Sequence, residues 1–303
     1  MNKDLKHVGT LETNDNNMNS NKSNKKAMTI GGLFKKILVY TLLLTIVILI
    51  ISPVIWIVAS SFNSGTSLFS SKIIPEHPTL KHYKELFTDT DYGKWYLNTL
   101  KIATLNMVLS VILTTLTAYV FSRFRFKGRR VTIMTMLILQ MFPAFMAMTA
   151  IYVLLFRLHL LNTHLGLILV YAAGQIPYNS WLCKGYFDGI PKSLDEAARI
   201  DGASNLTTFR LIILPLARPI ITFIALTNFI GPWFDFIFPK LILTTSDKKT
   251  LALGLFEWIQ KNQNTYFTRF AAGAILVAIP ITVLFIYLQK HIVEGLSSGA
   301  TKG

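Results

Sequence analysis

The sequence predicts an all-α integral membrane protein with six transmembrane helices, and three observations predict it. Hydrophobic residues make up 52% of the 303-residue chain while Asp, Glu, Lys and Arg reach only 15%; a soluble domain of that size carries about a quarter charged residues. The apolar residues gather in blocks of about 20, the length a helix needs to cross a bilayer. The net charge of +15 lies between those blocks and on no continuous face, which is the pattern of the positive-inside rule and not of a nucleic-acid-binding surface.

Residues 1–32, rich in Asn, Lys and Ser without apolar periodicity, read as a disordered tail. The first span runs from about Ile37 to Ile57. Its apolar block is too long for a cleavable signal, so it is expected to remain as an anchor. Ser61–Lys94, with Pro75, Pro78 and mixed charges, is an external loop flanked by Trp56, Trp95 and Tyr96, where interfacial aromatic belts form. The second span covers Ile102 to Phe121, the third Val131 to Leu155 and the fourth Leu161 to Leu182. The fifth covers Pro219 to Leu241 and the sixth Ala271 to Leu288. Each must be helical, because lipid satisfies no bare backbone.

Lys and Arg set the orientation. Lys22, Lys25, Lys26, Lys35 and Lys36 precede the first span; Arg123, Arg125, Lys127, Arg129 and Arg130 follow the second. Lys184, Lys192, Arg199, Arg210 and Arg218 follow the fourth. All three groups share one side, which is therefore cytoplasmic, together with both termini. Lys248, Lys249 and Lys261, after the fifth span, oppose this assignment and are outweighed. The single cysteine, Cys183, excludes an internal disulfide and reads as apolar filler.

The informative loop, about residues 184–218, joins the fourth and fifth spans. Pro191 excludes a helix through it, so a new helix starts beyond. Ser193 followed by Glu196 has the spacing of a capping box. Gly202 suits the left-handed position past a helix end. Ser204 can cap a second short helix, which Pro215 ends or kinks. The alternative is an ordinary amphipathic loop on the membrane surface.

The order Glu196-Ala197-Ala198, Gly202, Ile212, Leu214-Pro215 resembles the EAA motif of the membrane subunits of ATP-binding-cassette importers. Gln140-Met141-Phe142-Pro143, Lys184-Gly185-Tyr186-Phe187 and the run Glu294–Gly303 further resemble the MalG-type subunit of maltose and maltodextrin importers. The resemblance covers nearly all of the chain beyond the tail, and it implies that residues 33–303 form the transmembrane domain of a type I ABC importer permease. It implies that Glu196, Ala197, Ala198, Gly202, Ile212, Leu214 and Pro215 form a coupling helix pair seated on a cytoplasmic ATPase. It further implies a second, MalF-type permease subunit, a homodimeric ABC ATPase that carries ATP and Mg, and an extracytoplasmic sugar-binding protein, in a bacterial cell membrane. The cargo it implies is maltose or malto-oligosaccharide, with galacto-oligosaccharide as the alternative.

The chain has no catalytic or metal-ligating constellation and no bound cofactor is expected on it. No run has the glycine, lysine and hydroxyl spacing of a phosphate-binding loop. Glu196 has two readings, the acid of the capping box or a charge partner for the ATPase. Asn228, Trp233 and Asp235 suit a sugar path, through hydrogen bonding and stacking; the plainer reading of polar residues in spans is interhelical glue. The loop Thr244–Thr265 is expected to face the binding protein, with Lys248 and Lys249 otherwise a solvated turn. Gly295–Gly303 reads as non-helical, either touching the ATPases or loose. A secondary transporter would need internal repeats and ionisable residues at the membrane midplane, and only Asp235 is available. A membrane-embedded enzyme would need clustered acids or histidines, and the six histidines are scattered.

Overall fold

A chain built from apolar blocks separated by Pro, Gly and basic residues folds into helices throughout, and the computed structural model has no strand among the residues it describes. Those are residues 30–65, 75, 77–261 and 263–300. The chain divides into two units, Met1–Val54 and Ile55–Gly303. The first is described as part of one helix, α1 (Ile30–Ser61), whose apolar side chains from Ile37 to Ile55 are exposed throughout. The expected tail lies outside the described residues except for positions 30–32, which are helical.

In the second unit, α2 (Lys81–Thr88) lies in the expected external loop and α3 (Tyr92–Arg123) forms the second span. One stripe of α3 is buried from end to end: Thr99, Ala103, Asn106, Ser110, Thr114, Ala118 and Ser122. Steps of three and four residues place these small side chains on one face. Small residues let helices approach closely where lipid supplies no hydrophobic drive between them. Against this face α3 packs most extensively on α6 (His164–Asp188) and next on α10 (Arg218–Phe234).

The third span is not one helix. α4 (Arg129–Gln140) and α5 (Met148–Arg157) are separated by a 3₁₀ turn at Ala144–Ala147, and the halves meet at 90°. Pro143 explains the break, since it donates no hydrogen bond and disfavours helix at the residue before it. The fifth span is also interrupted: α10 ends at Phe234 and a short helix, Ile237–Ile242, follows Asp235 and Phe236. Among the described residues three helices are long and apolar enough to cross a membrane unaided, Lys35–Ser61, Tyr92–Arg123 and Phe267–Lys290, and two bent pairs pass as broken spans, Arg129–Gln140 with Phe145–Arg157 and Asn205–Leu216 with Arg218–Phe234. α6 is 25 residues long but interrupts its apolar run with Gln175, Asn179 and Ser180.

Beyond α10 the short helix Ile237–Ile242 is α11, and the helices after it are α12 (Leu251–Lys261) and α13 (Gln263–Ala300). α13 does not stop at Gly295 or Gly299, against the expectation for the C-terminal run. A glycine costs a helix about 1 kcal/mol, and extending an existing helix needs no new nucleation. Residues 301–303 lie outside the described ones. One buried cluster joins Leu86, Tyr92, Trp95, Phe229, Trp233 and Leu251 across α2, α3, α10 and α12. Gly254 is small for a reason: a Cβ there would lie inside the Trp95 ring.

Candidate functional site

The loop between α6 and α10 is a train of short helices. The first, α7 (Ser193–Ile200), starts two residues after Pro191, as expected, but without the expected capping box. Lys192 occupies the N-cap with helical backbone (φ −67°, ψ −21°) and makes no side-chain cap. A capping side chain needs extended backbone. Here the preceding turn satisfies the donors instead, with Leu194 N–H bonding to Pro191 O (3.3 Å) and Glu196 N–H to Lys192 O (3.0 Å). Glu196 is thus released from any capping role. It is exposed and makes no hydrogen bond or ion pair among the described residues. Ala197 beside it is exposed and Ala198 is buried.

Gly202 takes the left-handed conformation, φ +79°, and nothing stands within 4 Å of the Cβ it lacks, so backbone conformation and not space requires glycine. Ala203 N–H reaches back to Ala198 O (2.8 Å) and Gly202 N–H to Arg199 O (3.0 Å). These two bonds are the Schellman closure of a helix. Next, α8 (Asn205–Thr208) is capped by Ser204, whose Oγ accepts from Thr207 N–H (3.1 Å). It runs through a π-helical turn, Phe209–Ile213, into α9 (Leu214–Leu216). Widening that turn moves carbonyls away from the Pro215 ring, which in a regular helix clashes four residues back. Ile212 and Leu214 are half-buried and Pro215 is exposed. At Ala217 the train meets α10 at 81°.

What fastens the train to the spans was not legible. Arg123, at the end of α3, is buried beside buried Asp195 of α7, Nε to Oδ2 3.0 Å, a close ion pair without hydrogen-bond alignment. Its other guanidinium nitrogens donate to Phe187 O (3.0 Å), Ser122 Oγ (3.2 Å) and Ile190 O (3.1 Å). Ser122 Oγ donates to Asp188 Oδ1 (2.7 Å) and Lys184 Nζ to Asp188 Oδ2 (2.5 Å). Beside this polar clamp lies an apolar one of Tyr119, Cys183, Phe187, Phe209, Ile213 and Ala217. Tyr119 also donates its hydroxyl to Asn205 O (3.1 Å). In the sequence Arg123 is one of five basic residues in a short link, and only the fold separates it from the rest.

The sugar-path residues divide. Asn228 and Asp235 line one cavity of about 610 Å³, together with Asn106, Tyr171, Gln175 and Thr227. Asn228 Nδ2 donates to Ile224 O (2.8 Å) and its buried Oδ1 has no partner. Asp235 accepts from the Tyr171 hydroxyl (2.8 Å) and from Ile237 N–H (2.8 Å), so it also starts α11. Trp233 does not line this cavity. It is buried in the cluster with Phe229, its ring edge-on to Tyr96 at 5.3 Å. A second cavity, of about 550 Å³, is lined by Gln140, Phe142, Pro143 and Gln175, and Gln140 Nε2 donates to Gly174 O (2.7 Å).

From Thr244 to Gln260 the stretch is built and not a loose turn. Lys248 Nζ donates to Asn162 O (2.9 Å) and Lys249 Nζ to Glu257 (2.7 Å). Trp95 and Asn98 donate to the carbonyls of Ser246 and Asp247, both 2.8 Å. Two of the lysines that opposed the orientation are therefore held by structure; the Lys261 side chain lies outside the described ones. No group of three or more His, Cys, Asp or Glu placed to hold a metal occurs among the described residues.

Residues 110–298 match the family described as "Binding-protein-dependent transport system inner membrane component". The chain is 47% identical to the galactooligosaccharides transport system permease protein GanQ of Bacillus subtilis (strain 168), over 87% of this chain and 94% of that one. It is 44% identical to the maltodextrin transport system permease protein MdxG of the same organism, over 89% and 98%. Among solved structures it is similar to a bacterial ABC transporter involved in the import of the acidic polysaccharide alginate, with a TM-score of 0.75 and 25% identity over 86% of this chain and 98% of that one.

Proposed function

The chain belongs to the family of binding-protein-dependent transport system inner membrane components, and from that premise we propose how it is coupled and what it carries. It is a non-catalytic permease subunit of an ATP-binding-cassette sugar importer. Its loop between α6 and α10 is the part that a separate homodimeric ATPase grips, with ATP and Mg held there. A second permease subunit completes the pore and an extracytoplasmic sugar-binding protein delivers cargo. The basic loops and both termini face the cytoplasm, a reading supported by the internal partners of Lys248 and Lys249.

One observation carries the coupling reading. A pair of short helices, closed at Gly202 by backbone alone, is clamped by Arg123 and Asp195 to the ends of α3 and α6. A rigid piece so attached transmits displacement instead of melting, and rigid-body motion is how such transporters alternate access. Glu196 and Ala197, exposed on α7, present a free carboxylate beside a side chain small enough for close approach. Ile212, Leu214 and Pro215 carry the second helix to the elbow at Ala217. Gly202→Asp forces a side chain onto a left-handed position. That variant should insert and copurify with the second permease while losing sugar-stimulated ATPase activity and uptake. Undiminished uptake by Gly202→Asp would refute the coupling reading.

The cargo is an oligosaccharide. The cavity at Asn228 and Asp235 has the amide, carboxylate and phenol chemistry that binds sugar hydroxyls. Malto-oligosaccharide is the first reading, supported by the 44% relative; galacto-oligosaccharide is the second, supported by the 47% relative. Uptake of labelled maltotriose by cells carrying the whole transporter, competed with unlabelled galacto-oligosaccharide, separates them. Maltotriose uptake that resists the competitor supports the first, and absent maltotriose uptake supports the second.

A further inference from the structure

We infer that this subunit holds an anionic phospholipid between α4 and α6, with the lipid phosphate on Arg129 and Arg130. A cavity of about 570 Å³ opens there, lined by Arg129 and Arg130 at the start of α4, by Lys184 on α6, and by Val131, Ile133 and Met134 farther along α4. Trp181 stands in its wall, 44% exposed. The lining is therefore amphipathic, as a phospholipid requires: guanidinium groups for a phosphodiester, an indole of the kind that sits at headgroups, and aliphatic side chains for an acyl chain. A soluble anion would use only the basic end. A second cavity of about 330 Å³ shares Trp181 and Lys184 and continues past Tyr186 to Ile220, giving room for a second chain.

The charge balance favours an anion. Asp188, the carboxylate that Lys184 holds at 2.5 Å, also accepts from Ser122 at 2.7 Å, and among the described residues no ion pair joins a carboxylate to Arg129 or Arg130. Arg129 spends one nitrogen on Phe124 O (3.3 Å). Arg130 is exposed and makes no hydrogen bond or ion pair among the described residues. Guanidinium suits this task because its planar fork meets a phosphate with two parallel bonds. The site is lined also by Phe126 and Gly128 of the α3–α4 link, which follows Arg123 directly, so a lipid seated here braces the clamp on the coupling loop. The inference uses only the membrane placement of α4 and α6, and stands whatever sugar is carried.

Native mass spectrometry of the whole transporter, exchanged into bilayers of equal phosphatidylcholine and phosphatidylglycerol, reads the site directly. Wild type should retain phosphatidylglycerol over phosphatidylcholine by about tenfold, the worth of one good charge-assisted contact. Arg129→Gln with Arg130→Gln should lose that preference. Arg130→Lys should keep part of it, and Lys127→Gln, outside the cavity, should keep it all. Equal retention by the double variant and wild type would overturn the inference. So would displacement of the lipid by inorganic phosphate, or a photo-crosslinker at position 181 that captures the second permease and no lipid.

Discussion

At the scale of single residues, the positions that matter divide by whether their partners are near in sequence. Gly202 and Ser204 were legible because a helix stop and a helix cap are local chemistry, and both take the expected geometry. The Ser193–Glu196 box was equally local but fails, because Lys192 is already helical and no extended N-cap exists. Arg123 and Asp195 were illegible, since nothing in a run of basic residues says which one the fold buries. Breaking a buried ion pair leaves its other charge stranded, a cost on the order of 3 kcal/mol. Asp195→Asn should therefore loosen α7 without unfolding the spans. Limited trypsin digestion should then cut faster at Arg199 and Arg210 in membranes, while copurification with the second permease persists. Unchanged cleavage would mean that the apolar clamp alone holds the loop.

At the scale of elements, the apolar blocks were readable and their interruptions were not. The α4–α5 break and the α10–α11 break fall inside continuous apolar runs, where hydropathy carries no directional information and only Pro143 and Asp235 mark the place. α12 was hidden for a different reason: it is packed on Trp95, an interaction between distant segments that no window of sequence contains. α2 is held by one such distant contact, Arg269 to Glu85 at 2.9 Å. That hydrogen bond, with help from the ring of His82 and against a smaller effect of burial, keeps the Glu85 carboxyl below its ordinary value of 4.5. A group with a depressed folded value contributes stability above its unfolded value and loses it as pH falls through the folded one. Docking of α2 should thus be intact above about pH 4.5 and weaken progressively below. Hydrogen exchange of residues 81–88 across pH 6 to 3, referred to the intrinsic rate, measures this. Glu85→Gln should flatten the dependence.

At the scale of the whole molecule, the described residues hold three buried apolar clusters, around Phe187 and Ile213, around Tyr92 and Trp95, and around Leu155 and Leu167, and α3 contributes to all three. The cavity of Asn228 and Asp235 lies along α10. On the proposed sugar path, Asn228→Leu should raise the sugar concentration for half-maximal uptake by up to about tenfold, the net worth of one lost hydrogen bond. Basal ATPase activity should hold, and an unchanged uptake curve would remove Asn228 from the path. The 81° meeting of the loop helices with α10 then has a mechanical meaning. On the proposed coupling it would act as a bell crank: a push across one arm swings the other sideways instead of sliding it along its own axis. The swing grows with distance from the pivot at Ala217. Asn228 lies about 16 Å along that arm at 1.5 Å per residue, so on the proposed coupling a small stroke at the loop becomes a wider one at the proposed sugar path.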